Sequence, residues 1–536
     1  MDLHPATLWE AISDAVPDRL ALVQGPTRRT WADLDRRAAR LAGALAAEGL
    51  GAGSRVGILL HNCPEYLEAY VAALKLRAVP FNVNHRYTAE EVAYLLGNAD
   101  ADALVHHASL SSVAAAAAAR AGRPGMLVEV EDGGPHHDGS ARYEEVLLAA
   151  DPAPRIRRDP DDVTMSYTGG TTGMPKGVVS RVGPPLTYLL QAVPPLMGRG
   201  PVALDDAPAF AASLEGTPDL MVSLPAPPLM HSTGMGIGAL PALATGGTVV
   251  LLEHRHLDAH HLWDTVEAEG VNAITVVGDP FARPMLAALD EHPGRDLHRV
   301  RTISSSGAMF SAEVKAGLHR HLPQVVILDL IASTEGTMGM SIATADHPAD
   351  TARFRPAPGV VVLGEDGHPL PPGSDEVGLV ALPGGADRYH KDEARTASTF
   401  RVIDGTRYTV PGDLATIDAD GTLSLRGRGL SCINTAGEKV YPEEVEEALK
   451  SVGGVADALV FGVDDERFGQ AVAAVVSAPP GATVDVDVVL AAARQHLAGY
   501  KLPRTVVVVD RVPRTDVGKP DYPMARQLHA AAGRSA

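Results

Sequence analysis

The amino-acid sequence predicts an α/β protein: a large multi-subdomain N-terminal domain with parallel βαβ sheets, followed by a small mobile α+β lid. Three observations predict it. The chain has 536 residues, well past the roughly 250–300 at which a single hydrophobic core stops growing. Through the middle, short Val/Ile-rich runs alternate with helical stretches, the signature of βαβ units. Beyond about residue 375 that alternation gives way to a hairpin signal, a glycine-rich joint and a compact terminal unit.

The elements follow in order. Thr30 can cap a helix that places Leu34, Ala38, Leu41 and Leu45 on one face, and Gly49 with Gly51 ends it. Runs at 248–252, 273–277, 300–304 and 325–330 read as strands, with helices at 259–269, 281–289 and 311–321 between them. Such an arrangement gathers ligands at the carboxyl ends of the strands. Those ends carry Gly278-Asp279-Pro280, Ser305-Ser306-Gly307-Ala308-Met309 and Ala332-Ser333-Thr334-Glu335-Gly336, all small or polar as a site requires. On this pattern, residues 278–285 and 304–310 would set the width of a pocket. Further on, segments 415–418 and 422–425 flank Asp420-Gly421, a strong hairpin signal. Gly427-Arg428-Gly429 then forms a joint. An N-terminal domain is expected over 1–429 and a lid over 430–536, with the hinge near 427–432. Within the lid, Pro442 opens a helix with Val445 and Leu449 inward; 458–463, 471–477 and 505–510 read as strands and 488–497 as helix.

Composition narrows the function. With 45% apolar and 21% charged residues the chain is neither disordered nor fibrous. A formal charge of −20, with no Lys/Arg-dense stretch, excludes a nucleic-acid binder and gives an anionic membrane nothing to attract. Only eight of the 46 basic residues are lysine: Lys75, Lys176, Lys315, Lys391, Lys439, Lys450, Lys501 and Lys519. A chain that otherwise writes arginine keeps lysine by chance or where a compact, flexible ammonium is needed. Two cysteines, Cys63 and Cys432, make no disulfide framework. No signal peptide is expected at the start, and no run of about 18 uncharged apolar residues could span a membrane. A reduced, soluble, cytoplasmic protein is the expectation. The histidines His254, His256, His260 and His261 follow no metal-ligand pattern with cysteine; Asp258 makes them a solvated helix start.

The sharpest local signal is Thr168-Gly169-Gly170-Thr171-Thr172-Gly173-Met174-Pro175-Lys176-Gly177. Glycines let successive backbone N–H groups converge, threonines add hydroxyls and Lys176 adds charge, so the loop suits a polyphosphate. Pro175 before the lysine and Gly177 after it exclude a Walker A loop. So do the flanks, which read strand–loop–strand.

This loop resembles the phosphate loop of the ANL superfamily of adenylate-forming enzymes, which includes acyl-CoA synthetases and peptide-synthetase adenylation domains. Further motifs of that family follow in order along nearly the whole chain. Ala332-Ser333-Thr334-Glu335 resembles the segment whose threonine contacts the α-phosphate and whose glutamate holds Mg²⁺. Tyr408-Thr409-Val410-Pro411-Gly412-Asp413 resembles the one whose aspartate grips the ribose hydroxyls. Arg428, Ile433, Gly437, Val440, Pro442 and Glu444-Val445-Glu446 follow the hinge motif. Pro513-Arg514-Thr515-Asp516-Val517-Gly518-Lys519 resembles the C-terminal motif with the catalytic lysine.

The resemblance implies the ANL fold, with ATP, Mg²⁺ and CoA as cofactors. It makes Lys519, Thr334, Glu335 and His231 the catalytic set, with Glu335 on the metal. Thr168, Gly169, Gly170, Thr171, Thr172, Lys176, Gly307, Asp329, Ile331, Ala332, Ser333, Thr334, Asp413, Arg428 and Lys519 would bind the nucleotide. His231 falls at the family position near the acyl and CoA tunnels. Two positions depart from the pattern. Ile331 stands where an aromatic residue usually stacks on adenine, with Asp329 placed to meet the adenine amino group. Leu430 stands at the hinge where Asp or Lys is usual.

Residues 388–400 and 432–449 look closest to actinobacterial acyl-CoA synthetases, whose members act on long-chain fatty acids and on steroid or terpenoid side-chain acids. The expected reaction is therefore activation of a hydrophobic carboxylic acid to acyl-AMP, then transfer to CoA. Two alternatives stay open at this point: hand-off of acyl-AMP to a partner protein, and adenylation of an amino acid, for which Asp279 is the one candidate partner of the amine. The partners implied are the acid, ATP and CoA, without nucleic acid or membrane span, and a homodimer is left open.

Overall fold

A computed structural model of the chain describes residues 1–168, 174–308, 310–350, 352–428, 433–452, 454–479, 481–513 and 521–532. The proposed phosphate loop at 169–173, hinge residues 429–432 and Lys519 lie outside the described residues.

Two large sheets precede the terminal unit. One has eight strands, and the Val163–Thr168 and Lys176–Arg181 strands pair antiparallel within it, with Thr168 opposite Lys176. The strand–loop–strand reading of the glycine-rich motif therefore holds for its flanks. The other sheet has fifteen strands. Leu20–Gln24, Thr248–Val250, Val222–Pro225, Ala273–Val276, Thr302–Ser306 and Val326–Ser333 run side by side and parallel; the remainder is antiparallel. Helices Ala259–Glu269, Gly278–Glu291 and Ala312–His321 cover one face of this parallel block, packing on Ile274, Ile303 and Ile327.

Local chemistry explains the boundaries. Thr30 and Asp33 form a reciprocal capping box at the start of Trp31–Ala47. Asp258 Oδ1 accepts from the backbone of His260 and His261, which opens Ala259–Glu269 as expected. One strand sits differently from the expectation. The apolar pattern of Val300 and Ile303 pointed to 300–304, yet the strand is Thr302–Ser306. Val300 is buried ahead of it, and the strand continues through three serines. Ile303 supplies its core face while Thr302, Ser304 and Ser306 point the other way, because side chains alternate along a strand.

The terminal unit is a five-stranded sheet in which Asp457–Asp465 and Gly469–Ser477 form the central hairpin and Thr505–Val509 adds a parallel edge. Val445 and Leu449 of Pro442–Lys450 are buried against it. This unit docks on the larger one through a buried cation. Lys501 Nζ donates to Glu91 Oε1 at 2.7 Å and to Glu444 Oε1 at 2.6 Å, and its side chain is 1% exposed. Glu91 is already committed to its own helix: its other oxygen, Oε2, accepts from the Thr88 backbone at 2.8 Å. One ammonium thus faces two carboxylates in a place closed to water.

Burial pushes the Glu444 carboxyl up from 4.5 to about 7, against the downward pull of Lys501. A carboxyl with a raised folded-state pKa binds its proton more tightly in the folded protein. Its stabilisation is complete below the unfolded value and is lost as pH rises through the folded one. Thermal unfolding of wild type and Glu444→Gln should therefore differ most in favour of wild type near pH 4.5 and lose that difference as pH rises through about 7. A difference independent of pH would show that no proton is held there.

Candidate active site

The carboxyl ends of the parallel strands open into a cavity of about 490 Å³. Thr168, His231, Gly307, Ala332, Ser333 and Thr334 line it, as do Gly437, Glu438 and Lys439 from the terminal unit. Six of the residues expected at the nucleotide or the chemistry thus share one space. Lys176 is the strand neighbour of Thr168 and is buried.

The remaining candidates surround this space. Glu335 is buried, and Tyr389 donates its hydroxyl to Glu335 Oε1 at 2.6 Å. Burial, then Glu335 itself, pushes that phenol up to about 12, so it stays a donor. Asp413 lies directly opposite Arg428 in the ladder of Asp413–Ile417 with Leu423–Arg428, which brings two expected nucleotide residues to one register position. Asp329 and Ile331 alternate with the cavity-lining Leu328, Leu330 and Ala332 and so face away from the cavity. Ile331 packs with Met338 and Phe354. Asp329, expected at the adenine amino group, is engaged by Lys315 Nζ at 2.8 Å. Burial pushes its carboxyl up, and Lys315 offsets only part of that.

The residues present fit the implied cofactors. The Ser333 hydroxyl is buried and has no hydrogen-bond partner among the described residues, a donor that a phosphate oxygen would satisfy. A carboxylate held in place, as Glu335 is, supplies the hard oxygen donor that Mg²⁺ takes together with substrate phosphates.

Sequence reasoning did not single out Glu438. It sits one residue after a two-residue hairpin turn, Ala436-Gly437, between Ile433–Thr435 and Glu438–Val440. Both turn residues have positive φ, +50° and +85°, the geometry that matches the twist of a tight hairpin. Gly437 is favoured for a second reason: as long as Val277 of the larger unit is present, a Cβ at 437 would lie 2.8 Å from its Cγ1. The turn therefore seats against the end of the Ala273–Val276 strand and carries Glu438 to His231, with Oε1 3.1 Å from Nε2. Arg86 Nη1 lies 3.3 Å from the same oxygen, and Asn84 Nδ2 donates to Oε2 at 3.4 Å. Burial would raise the Glu438 carboxyl, but His231 and then Arg86 hold it down at about 2, so it is ionised.

An ionised carboxylate only accepts, so Nε2 of His231 carries the hydrogen, and Nδ1 is the ring nitrogen left outside this contact. Glu438 of the terminal unit thereby orients the His231 ring. A second, wider cleft lies on the far side of the same turn, lined by Ala436, Arg86, Arg255, Arg283, Arg467 and Phe468 among others. Ala436 faces this cleft and Gly437 the cavity, so the turn is the partition between them.

Of the two expected pocket segments, 304–310 contributes Ser304, Ser306 and Gly307 to the lining and 278–285 lies elsewhere. Residues 278–285 are absent from the cavity lining; the Gly183–Leu196 helix takes their place through Tyr188, Leu189 and Val193. Asp279, the one candidate partner for an amino group, is held by Arg283 at 2.9 Å and by the Ser311 backbone at 2.9 Å, outside the cavity.

Fold and site together define an adenylate-forming enzyme. The chain belongs to the AMP-binding enzyme family: the family model matches residues 9–384, and that of the AMP-binding enzyme C-terminal domain matches 444–519. It is 39% identical over 540 residues to a 3-oxocholest-4-en-26-oate–CoA ligase of Rhodococcus rhodochrous, covering 98% of this chain and 96% of that one. It is 38% identical to the medium-chain acyl-CoA ligase Mig of Mycobacterium avium, covering 97% and 96%. Among solved structures it resembles the amide bond synthetase McbA from Marinactinospora thermotolerans, with a TM-score of 0.79 at 26% identity over 98% of this chain and 99% of that one.

A hydrogen bond to a charged partner is worth about 1.5–3 kcal/mol, or roughly 10- to 150-fold in rate. Glu438→Gln should lose about that factor in thioester formation from supplied acyl-AMP, while ATP–pyrophosphate exchange stays near wild type. An equal loss in both half-reactions would place Glu438 outside the thiol step.

Proposed function

We propose that this protein is an ATP-dependent acid–CoA ligase for a long hydrophobic carboxylic acid, working in the cytoplasm in two half-reactions separated by movement of the terminal unit. The observation that carries this reading is the single cavity in which Thr168, Ser333 and Thr334 meet an acyl-sized apolar space and His231 meets Glu438. The relatives named as CoA ligases support the reaction, and their two substrate types, a steroid acid and medium-chain acids, support a hydrophobic acid. The alternative of amino-acid adenylation loses support because Asp279 is engaged outside the cavity.

In the first half-reaction a carboxylate must approach the α-phosphate of ATP, and two anions repel. Thr334 and the Ser333 hydroxyl donate to the α-phosphate, Lys176 meets the leaving polyphosphate, and Asp413 accepts from the ribose hydroxyls. Mg²⁺ on Glu335, when bound, neutralises part of the phosphate charge. Lys519 bridges the carboxylate and the α-phosphate where negative charge develops. The acid oxygen bonds to the α-phosphorus and pyrophosphate leaves.

The second half-reaction uses the arrangement seen here. With Glu438 against His231, Nδ1 can take the proton of the CoA thiol as sulfur attacks the acyl carbon and AMP departs. The cleft beyond the Ala436-Gly437 turn is of mixed charge, with Arg255 paired to Asp132 and Arg283 to Asp279, and its guanidinium groups give the phosphates of CoA a place to bind, with the thiol arm passing the turn. Docking also closes the cavity against water, which protects the mixed anhydride. Leu430 need not prevent this movement, because Gly427 and Gly429 precede it.

Removing one such electrostatic donor typically costs ~10²–10³ in rate. Lys519→Ala should lower pyrophosphate release at least ~100-fold and largely retain thioester formation from supplied acyl-AMP. Persistence of pyrophosphate exchange in that variant would overturn the assignment of Lys519. Accumulation of acyl-AMP without acyl-CoA in the wild-type enzyme, with CoA present, would favour hand-off to a partner instead.

A further inference from the structure

A second cavity, of about 240 Å³, meets the acyl cavity at its reacting end. Ser166, His231, Gly236 and Thr334 line both, so the two spaces share one rim. From that rim they diverge. The acyl cavity continues along the fifteen-stranded sheet, past Ser304, Leu328 and Leu330. The second runs toward the eight-stranded sheet, where Ile58, Phe81 and Met165 of adjacent strands line it. Trp9 of the Pro5–Ala15 helix and Tyr66 and Tyr70 of the Pro64–Lys75 helix complete its walls. A protein interior tolerates few voids larger than a water molecule. An apolar space of this size beside the reacting groups suits an apolar part of the ligand.

The rim carries one glycine that the fold does not require. Thr233–Ala239 is a π-helix with three glycines. A Cβ at Gly234 would lie 2.2 Å from the Pro228 carbonyl oxygen, and one at Gly238 would lie 2.6 Å from Pro225 Cβ, so packing excludes a side chain at both. A Cβ at Gly236 would meet nothing within 4 Å. Nor does Gly236 have the positive φ that favours glycine. Inside a helix glycine costs stability relative to alanine. What the missing side chain gains at 236 is open space where the two cavities meet.

An unbranched acyl chain can enter one arm or the other and leaves the second empty. An acyl group that forks near the carboxylate fills both. Met235 N donates to His231 O at 3.0 Å, so Gly236 follows His231 by about one helical turn, which puts the fork close to the reacting carbon. We propose that Gly236 determines specificity: its missing side chain leaves the opening through which an alkyl branch near the carboxylate of the acid enters the second cavity. This role rests on the acid–CoA ligase reading.

The test compares kcat/KM for acyl-CoA formation with two acids, a straight-chain acid and the same acid bearing a propyl group on carbon 2, in wild type, Gly236→Ala and Gly236→Val. In wild type the branched acid should match or exceed the straight one. The ratio of branched to straight should fall about tenfold in Gly236→Ala and further in Gly236→Val, the order of one misplaced methyl group in an apolar pocket. Because the ratio is taken within each enzyme, a partly misfolded preparation does not change it. Gly236→Ala should unfold at a temperature no lower than wild type. A ratio unchanged in Gly236→Val, or a wild type that prefers the straight-chain acid, overturns the inference and leaves the ligase reading standing. A lower melting temperature in Gly236→Ala does the same, because the glycine would then serve the fold. No thioester from either acid in wild type overturns both.

Discussion

Lys501 is the fixed point of this architecture. A buried ammonium between Glu91 of the larger unit and Glu444 of the smaller one can be satisfied in only one relative placement of the two. Breaking such a group by removing one partner typically costs about 3–5 kcal/mol, because an uncompensated charge stays buried. Burial raises the Glu444 carboxyl, Lys501 offsets part of that, and the charge of Glu91 adds a little to it. With that placement set, the Ala436-Gly437 turn lands against Val277, and Glu438 reaches His231. A contact distant from His231 thus sets which of its ring nitrogens meets Glu438.

This arrangement resolves a conflict in the chemistry. Adenylation needs a cation between two anions; thiol transfer needs a base. One cavity cannot hold both at the same time without the cation suppressing the base. On the proposed reading, Lys519 and Glu438 belong to one terminal unit whose movement lets each be present when its step runs. The chain as a whole is acidic, at −20, so the anionic substrates are met by a few placed donors and not by a general field.

Much of the fold was legible because hydrophobic periodicity and caps speak directly. Thr30, Asp258 and the Asp420-Gly421 turn each behave as local chemistry demands. What stayed hidden depended on contacts between distant segments. The Thr302–Ser306 strand was displaced by two residues because its cavity face is hydroxyl-lined, and no alternation of apolar residues marks such a face. Sequence reasoning did not single out the Gly183–Leu196 helix, which carries no charged residue and roofs the cavity. Glu438 had a usable signal, the two-residue turn before it, though its partner is 207 positions away. The scarcity of lysine was a better guide than it first looked. Lys75, Lys315 and Lys501 are each buried against carboxylates, in Lys315 against the very aspartate that the family pattern would give to adenine.

The most direct measurement is to lock the docked state. A Cβ at Gly437 would lie 3.4 Å from Val277 Cβ, close to the ~3.5–4.5 Å that a disulfide spans, so the Val277→Cys/Gly437→Cys pair can be oxidised in place. The locked enzyme should convert supplied acyl-AMP and CoA to acyl-CoA, release almost no pyrophosphate from ATP and acid, and regain that activity on reduction. Full pyrophosphate release from the oxidised, cross-linked protein would contradict the account, because adenylation would then need no departure of the hairpin from His231.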